Sequence, residues 1–456
     1  MSDTRALRIL HTSDWHLGRQ IAGVDRTEDF RGFLEWLLGV LADRRPDLLL
    51  ISGDVFDTTM PASDAQALYY DFLAKAAATP VGAVVVTAGN HDSPRFLRAS
   101  RRLLGALRVF IPGHSPEEEV FVLRDAEGRP RAAVAAVPYL RDGDVRTSGA
   151  DDADADRAGA WNAGVAAHYR AAAGAVDAAL EGAKIPRIAM GHLFVTGARV
   201  SGEDPREDGE ASGGGVRVGS LRNVTADVFG PGWDYVALGH IHLPQRVRGR
   251  SEDELIRFSG SPLVLDPTEA AHPHQIVEVE LGPDGIVERF IDVPQPRVLA
   301  SLRGTRAGVE AEIARIGAAS PGAILEVLID EAQLDPQALV RSLSEAAEHA
   351  GVHLATVRTR RTRSEVRLAE GRTIDDLTPG EVFRAAVAAA LDEGQLVRED
   401  LKDLEALFSE ALQTAEAARR EADARSAERR SADGTDGADG TDGAAQAAQA
   451  NEGKED

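Results

Sequence analysis

The stretch "DLLLISGDVFD", Asp47 to Asp57, sets the terms on which the rest of the chain is read. Its first half is a short, continuous apolar run, the pattern of a strand covered on both faces. The run stops at Gly53 and is followed at once by two carboxylates, Asp54 and Asp57. A helical stretch, "SDAQALYYDFLAKAAA", comes next, with Ser63 as its candidate cap. An apolar strand, a polar cluster at its carboxyl end and then a helix is the repeating unit of α/β folds, whose ligands bind at that edge.

The unit recurs. "LRIL" (Leu7–Leu10) reads as a strand and leads to "SDWH", with Asp14 and His16. "AVVVTAG" (Ala83–Gly89) leads to "GNHD", with Asn90, His91 and Asp92. Strands expected at Arg187–Gly191 and Asp234–Gly239 run into His192 and into "GHIH", with His240 and His242. Further strands are expected at Arg131–Pro138, Leu255–Ser259 and Gln275–Leu281. Between the first two strands, "TEDFRGFLEWLLGVLADRRPD" carries Phe30, Phe33, Leu34, Leu37, Leu38 and Leu41 at helical spacing. The glycines before several of the polar clusters permit tight turns and close backbone approach.

Residues i and i+2 of an extended segment share a face, so Asp14 and His16 are expected to converge, and likewise His240 and His242. Asp14, His16, Asp54, Asn90, His192, His240 and His242 make seven oxygen and nitrogen donors. Seven are too many for one catalytic ion with an open position, and they suit two ions sharing a carboxylate. Such a donor set, without sulfur, permits manganese, iron, zinc or magnesium; manganese is the expected ion.

These motifs in this order, Asp-x-His, Gly-Asp-x-x-Asp, Gly-Asn-His-Asp, Gly-His and Gly-His-x-His, resemble those of the calcineurin-like metallophosphoesterases. "RILHTSDWHLGR", "SGDVFDT", "AGNHDS", "ALGHIH" and "FSGSPLVLD" are similar to the DNA-nuclease branch of that family. The resemblance implies an α/β, four-layer α/β/β/α sandwich with a small α+β capping domain and C-terminal helices. It implies that Asp14, His16 and His242 hold one ion, that Asn90, His192 and His240 hold the other, and that Asp54 bridges. His91 would orient the scissile phosphate or protonate the leaving oxygen. Asp57 matches the family's second acidic position and would serve catalysis by orienting a ligand or His91. The reaction implied is phosphodiester hydrolysis by an activated water: exonuclease action on double-stranded ends and endonuclease action on single strands or hairpins. The partners implied are DNA and an SbcC-type ATPase, with a homodimer inside a heterotetramer. A dimetal phosphatase or cyclic-nucleotide phosphodiesterase is the alternative. Against the protein phosphatases, Thr58 stands where they place an arginine. A scaffold with a degenerate site fits poorly with a full set of donors.

The domains read as 1–295 for the phosphoesterase, 296–370 for a β-α-β-α-β cap, 371–430 for helices that dock the ATPase, and 431–456 for a disordered acidic tail. Leu401, Leu404, Leu407, Phe408 and Leu412 form an apolar stripe in those helices. Two Asp- and Gly-rich segments, Arg141–Ala160 and Ser201–Gly215, read as surface insertions. Arg95, Arg98 and Arg102, in "SPRFLRASRRLLGALR", fall near one face of a helix and are candidate DNA-phosphate contacts. Arg358, Arg360, Arg361, Arg363 and Arg367 either grip DNA or face acidic neighbours. His11 and the pair His272 and His274 read as structural. The net charge of −23 argues against general polyanion binding. The chain has no cysteine and no Gly-x-x-x-x-Gly-Lys-Ser/Thr phosphate loop, so an ATP requirement would come from a partner. No apolar run is long enough to span a membrane, and a cytoplasmic location is expected.

Overall fold

The computed structural model describes residues 5–145, 154–199, 223–249, 254–330 and 336–359, with eight helical residues between Gly380 and Leu412. The chain forms two compact units, Met1–Arg360 and Arg361–Asp456.

In chain order, the first strands are β1 (Leu7–Thr12), β2 (Leu48–Ser52), β3 (Ala83–Thr87) and β4 (Val109–Phe110). Then come β5 (Val120–Arg124), β6 (Pro130–Ala136), β7 (Arg187–His192), β8 (Tyr235–Gly239), β9 (Gln245–Val247) and β10 (Leu255–Phe258). The last are β11 (Gln275–Gly282), β12 (Gly285–Asp292), β13 (Leu299–Gly304), β14 (Ile324–Ile329) and β15 (His353–Thr359). They build two six-stranded sheets, ordered β12-β11-β1-β2-β3-β4 and β5-β6-β7-β8-β10-β9, and a small sheet, β13-β14-β15. Within the first, β1 to β4 are parallel. Within the second, β6, β7, β8 and β10 are parallel. The carboxyl ends of each parallel set therefore lie along one edge of its sheet.

The two large sheets pack face to face through Leu7, Ile9, Leu48, Leu50, Val85, Val134, Ile188 and Met190, together with Ala83, Ala132, Ala136 and Ala237. Helices cover the outer faces. On the first sheet lie α1 (Thr27–Arg44) and α2 (Ser63–Ala77), burying Phe30, Phe33, Leu37, Leu41, Leu68, Phe72 and Leu73. β2 is thus covered on both faces and all five of its residues are buried, as its apolar run requires. On the second sheet lies α6 (Asp154–Leu180), with Val165, Tyr169, Ala172 and Val176 inward. This is the four-layer α/β/β/α arrangement.

Several local expectations need correction. Ser63 is the first helical residue of α2 rather than its cap; Ala62 holds the cap position and no side chain caps the helix. The stretch Arg141–Ala160 is not wholly an insertion, because α5 (Asp142–Val145) and the start of α6 lie within it. Its Ala content supports a helix that its Asp and Gly content obscures. The expected arginine helix is two short ones, α3 (Pro94–Ala99) and α4 (Arg101–Gly105), broken at Ser100. Arg95, Arg98 and Arg102 therefore do not share one helical face.

The small sheet is parallel throughout. Its crossovers are α7 (Arg306–Ala319) and α8 (Pro336–Ala350), which pack on it around Val309, Ile313, Leu325, Val327, Leu339 and Leu343. Leu299 and Ile324 of this sheet also join Ile21 and Val264 of the phosphoesterase part in a separate apolar cluster. In the second unit, Leu401, Leu404, Phe408 and Leu412 are helical and half-buried, and Phe383 stacks on Phe408 at 4.1 Å. Leu407, the segment Ser201–Gly215, Arg360, Arg361, Arg363, Arg367, the rest of 371–430 and the tail 431–456 lie outside the described residues.

Candidate metal centre

The polar clusters sit where β1, β2, β3, β7 and β8 end; His192 is still in β7, but four of the others leave extended backbone. Asp14, His16, Asp54 and His240 have φ of 53°, 49°, 48° and 96°. Left-handed backbone is costly for residues with a Cβ and persists where surrounding contacts enforce it. Those contacts are present. The Asp14 amide donates to the Gly53 carbonyl and the His16 amide to the Asp54 carbonyl, each at 3.0 Å. The His240 amide donates to Asp14 Oδ1 at 3.0 Å. Close approach also needs glycine: a Cβ on Gly89 would lie 2.1 Å from Asp54 Oδ1, and one on Gly239 would lie 2.0 Å from the Ser52 carbonyl. Asp14 and His16 converge as expected, through a left-handed turn rather than strand alternation. His240 and His242 fall in two different donor groups.

Among the described residues, three groups of side chains bring their donor atoms within 4.8 Å of one another: Asp14, His16 and His242; Asp54, His192 and His240; and His16, Asp57 and His91. Asn90 completes the second, with Oδ1 3.1 Å from His192 Nε2 and 2.9 Å from His240 Nδ1. Asp54 joins the first two groups. Its Oδ2 lies 3.2 Å from His192 Nε2 and 3.6 Å from His16 Nε2.

Ring orientation is imposed from behind. His16 Nδ1 faces Asp57 Oδ1 at 3.2 Å, His192 Nδ1 faces the Ser52 carbonyl at 2.8 Å and His242 Nδ1 faces Glu269 Oε1 at 2.8 Å. Each partner is an acceptor, so Nδ1 carries the proton and Nε2 keeps its lone pair for a ligand role. His16 Nε2 is buried and makes no hydrogen bond. A buried imidazole lone pair without a donor, facing carboxylates, fits a cation. The donor set and its arrangement fit divalent metal.

The charges agree. Burial pushes Asp54 up, but His192, His16 and His91 together hold it well below the usual carboxylate range. Burial lowers His192, yet Asp54 and Asp14 raise it further, to about 9. In the metal-free protein a proton on His192 thus meets part of the demand for positive charge. His240 goes the other way, to about 3, through burial and the neighbouring His192.

His91 stands beside both groups. Its ring lies 4.8 Å from that of His16, its amide donates to Asp54 Oδ1 at 2.8 Å, and its Nδ1 donates to the Asp57 carbonyl at 2.9 Å. The Asp57 carboxylate itself reaches His16 and, at 3.2 Å, Arg19 Nη1. Among the arginines proposed for DNA, Arg98 is engaged internally, donating to the carbonyls of Pro94 and Gly113; Arg95 and Arg102 are exposed. Arg358 pairs with Glu326 at 3.7 Å. His11 bonds Tyr235 Oη between the sheets at 2.7 Å, and His274 bridges the carbonyls of Ser261 and Glu269.

Three contributors escaped the sequence reading. Asp92, quoted there without a role, accepts from the amides of Val55, Phe56 and Gly89 and so ties two ligand loops together. Burial and the Asp54 charge raise it to about 6, against those three amides. Arg19 lies in the "HLGR" motif, where only its basic character marks it. Glu269 lies in "DPTEAAHPH", and nothing in its spacing announces a site.

Residues 7–244 match the calcineurin-like phosphoesterase family. The chain belongs to the calcineurin-like phosphoesterases. This phosphoesterase is similar to the SbcD component of the SbcCD nuclease from Escherichia coli K12, with 32% identity over 420 residues, covering 90% of this chain and 98% of that protein. The corresponding component from Rhodobacter capsulatus is 34% identical over 64% of this chain and 70% of its own. That of Bacillus subtilis is 29% identical over 61% and 67%. This phosphoesterase falls with the SbcD nucleases, and it is a metal-dependent hydrolase of phosphodiesters.

Proposed function

We propose that the chain is the nuclease component of an SbcCD-type complex, cutting DNA phosphodiesters with two Mn²⁺ ions. The observation that carries this reading is the position of Asp54 Oδ2 between His16 Nε2 and His192 Nε2. One carboxylate oxygen there serves two ligand groups at once. Asp14, His16 and His242 would hold one ion, Asn90, His192 and His240 would hold the other, and Asp54 would be shared. When bound, such an ion pair neutralises phosphoryl charge and makes water acidic enough to attack at neutral pH.

The chain's own residues do the rest. Asp57 and the Ser52 carbonyl fix the tautomers of His16 and His192. His91, held through Nδ1 by the Asp57 carbonyl, presents Nε2 toward the site, where it orients the scissile phosphate or donates a proton to the leaving oxygen. Asp92 keeps the Asp54 and His91 loops in register. With the protein strongly acidic overall, DNA is gripped locally, by Arg95 and Arg102 beside the site. The segment 296–370 acts as a capping domain over the duplex. The helices of 371–430, joined through Phe383 and Phe408, dock an SbcC-type ATPase, and the phosphoesterase pairs as a homodimer within the heterotetramer.

The test is a substrate panel. Purified chain with Mn²⁺ is offered hairpin DNA, double-stranded ends, bis-p-nitrophenyl phosphate, a cyclic nucleotide and a phosphomonoester, with and without the ATPase. Preferential cleavage of DNA ends or hairpins, stimulated by the ATPase and ATP, is expected. Faster turnover of the monoester or the cyclic nucleotide would refute the nuclease reading.

A further inference from the structure

Glu269 is an acid with almost no exposure, at 6%. It closes the short 3-10 turn Pro267–Glu269, outside every motif that marks the site. Its two oxygens are both used. Oε1 meets His242 Nδ1 at 2.8 Å, and Oε2 accepts from the Leu265 amide at 3.2 Å. The turn is itself braced. Asp266 Oδ1 accepts from the Thr268 amide at 2.9 Å and from its hydroxyl at 2.6 Å. His274 reaches the Glu269 carbonyl at 3.2 Å and the Ser261 carbonyl at 3.0 Å. Val264 and Ala270, on either side of the turn, pack into the apolar cluster with Leu299 and Ile324 of the small sheet.

A carboxylate so mounted cannot turn aside from the ring it faces. Since a carboxylate only accepts, His242 Nδ1 must donate, and Nε2 is the one ring nitrogen with a lone pair. That nitrogen is the atom available to the group with Asp14 and His16. Outer partners of this kind orient a ligand and raise its basicity, and their loss costs metal affinity selectively.

We propose that Glu269 is a positioning residue for His242: it selects the nitrogen that faces the metal and so sets the affinity of the site shared with Asp14 and His16, without touching the ion. This rests on the two-metal reading above and adds to it a residue outside the ligand set.

The experiment is calorimetric titration of chelator-stripped protein with Mn²⁺, with electron paramagnetic resonance to count bound ions, for the unaltered chain, Glu269→Gln and Glu269→Ala. The unaltered chain should bind two ions. Glu269→Ala should weaken one of them by about 10–100-fold and leave the other within about twofold. Glu269→Gln should fall between, because an amide oxygen still accepts from Nδ1 but carries no charge. Metal-free thermal unfolding shows whether each variant keeps its fold; should Glu269→Ala lose it, Glu269→Gln carries the comparison. Equal weakening of both sites, or of neither, in a folded variant overturns the assignment. An unaltered chain that binds no Mn²⁺ overturns the two-metal reading instead, and that result is obtained before any variant is compared.

Discussion

Asp54 Oδ2 stands 3.2 Å from His192 Nε2, a contact between a loop of one sheet and a strand end of the other. It joins the two sheets inside one ligand group, and the same carboxylate oxygen faces His16 of the other group at 3.6 Å. Replacing Asp54 by Asn keeps the shape and removes the charge shared by both groups. Asp54→Asn should therefore lose cooperative binding of two Mn²⁺ and reduce kcat/KM on hairpin DNA by about 10³-fold or more. Calorimetry and steady-state cleavage read the two losses separately.

The same contact makes the metal-free protein pH-sensitive. His192 is raised from 6.5 to about 9, with burial opposing and the Asp54 charge prevailing. Between those values the folded chain holds a proton that the unfolded chain has released. Its stabilising contribution is complete below pH 6.5 and is lost as pH rises through about 9. Chelated protein should thus show a falling denaturation midpoint across that window. Mn²⁺ should remove the fall, and its binding near pH 7.5 should release protons, seen as a calorimetric enthalpy that depends on the buffer.

His91 belongs to neither the Asp14–His16–His242 group nor the Asp54–His192–His240 group, so its loss should separate chemistry from metal binding. His91→Asn is expected to keep two ions at unaltered affinity while kcat falls by about 10²–10⁴-fold. Retained cleavage would remove His91 from the reaction.

On the acid side two buried histidines act together, His240 in the site and His11 between the sheets. Burial and the charge of Arg257 lower His11 to about 3. Below pH 6.5 the unfolded chain takes up a proton at each that the folded chain refuses, so stability falls as pH falls toward 3, by up to about 1.4 kcal/mol per pH unit for each. Asp92, raised to about 6, tilts the other way between about 3.8 and 6. His11→Asn should partly flatten the acid limb of a urea-midpoint profile measured in chelator.

Much of this was legible in the chain. "DLLLIS" and "AVVVT" are apolar runs of strand length, and both are fully buried parallel strands. The seven donors are recognisable because each follows such a run. What stayed hidden has physical reasons. β12 alternates too little, since most of its residues are exposed at a sheet edge. No glycine or proline announces the break at Ser100, where the hydroxyl reaches the Leu97 carbonyl and Tyr70 Oη, each at 3.3 Å. The loop conformation of the donors depends on contacts with other loops, so strand alternation gave the right convergence for Asp14 and His16 on the wrong geometry. Glu269 acts across 27 residues of chain through a single ring nitrogen, a relation that no spacing rule encodes.

The layer between the large sheets has a consequence beyond stability. Asp54 leaves one sheet and His192 the other, so the 3.2 Å between them inside one ligand group is a gauge reading of sheet separation. The layer that fills that separation mixes Leu50, Val85, Ile188 and Met190 with the small side chains Ala83, Ala132, Ala136 and Ala237. The spacing of the site is therefore carried partly by residues that touch no ligand group. A bulkier residue at Ala237 would act as a wedge, spreading the two halves of the site while leaving every ligand in place.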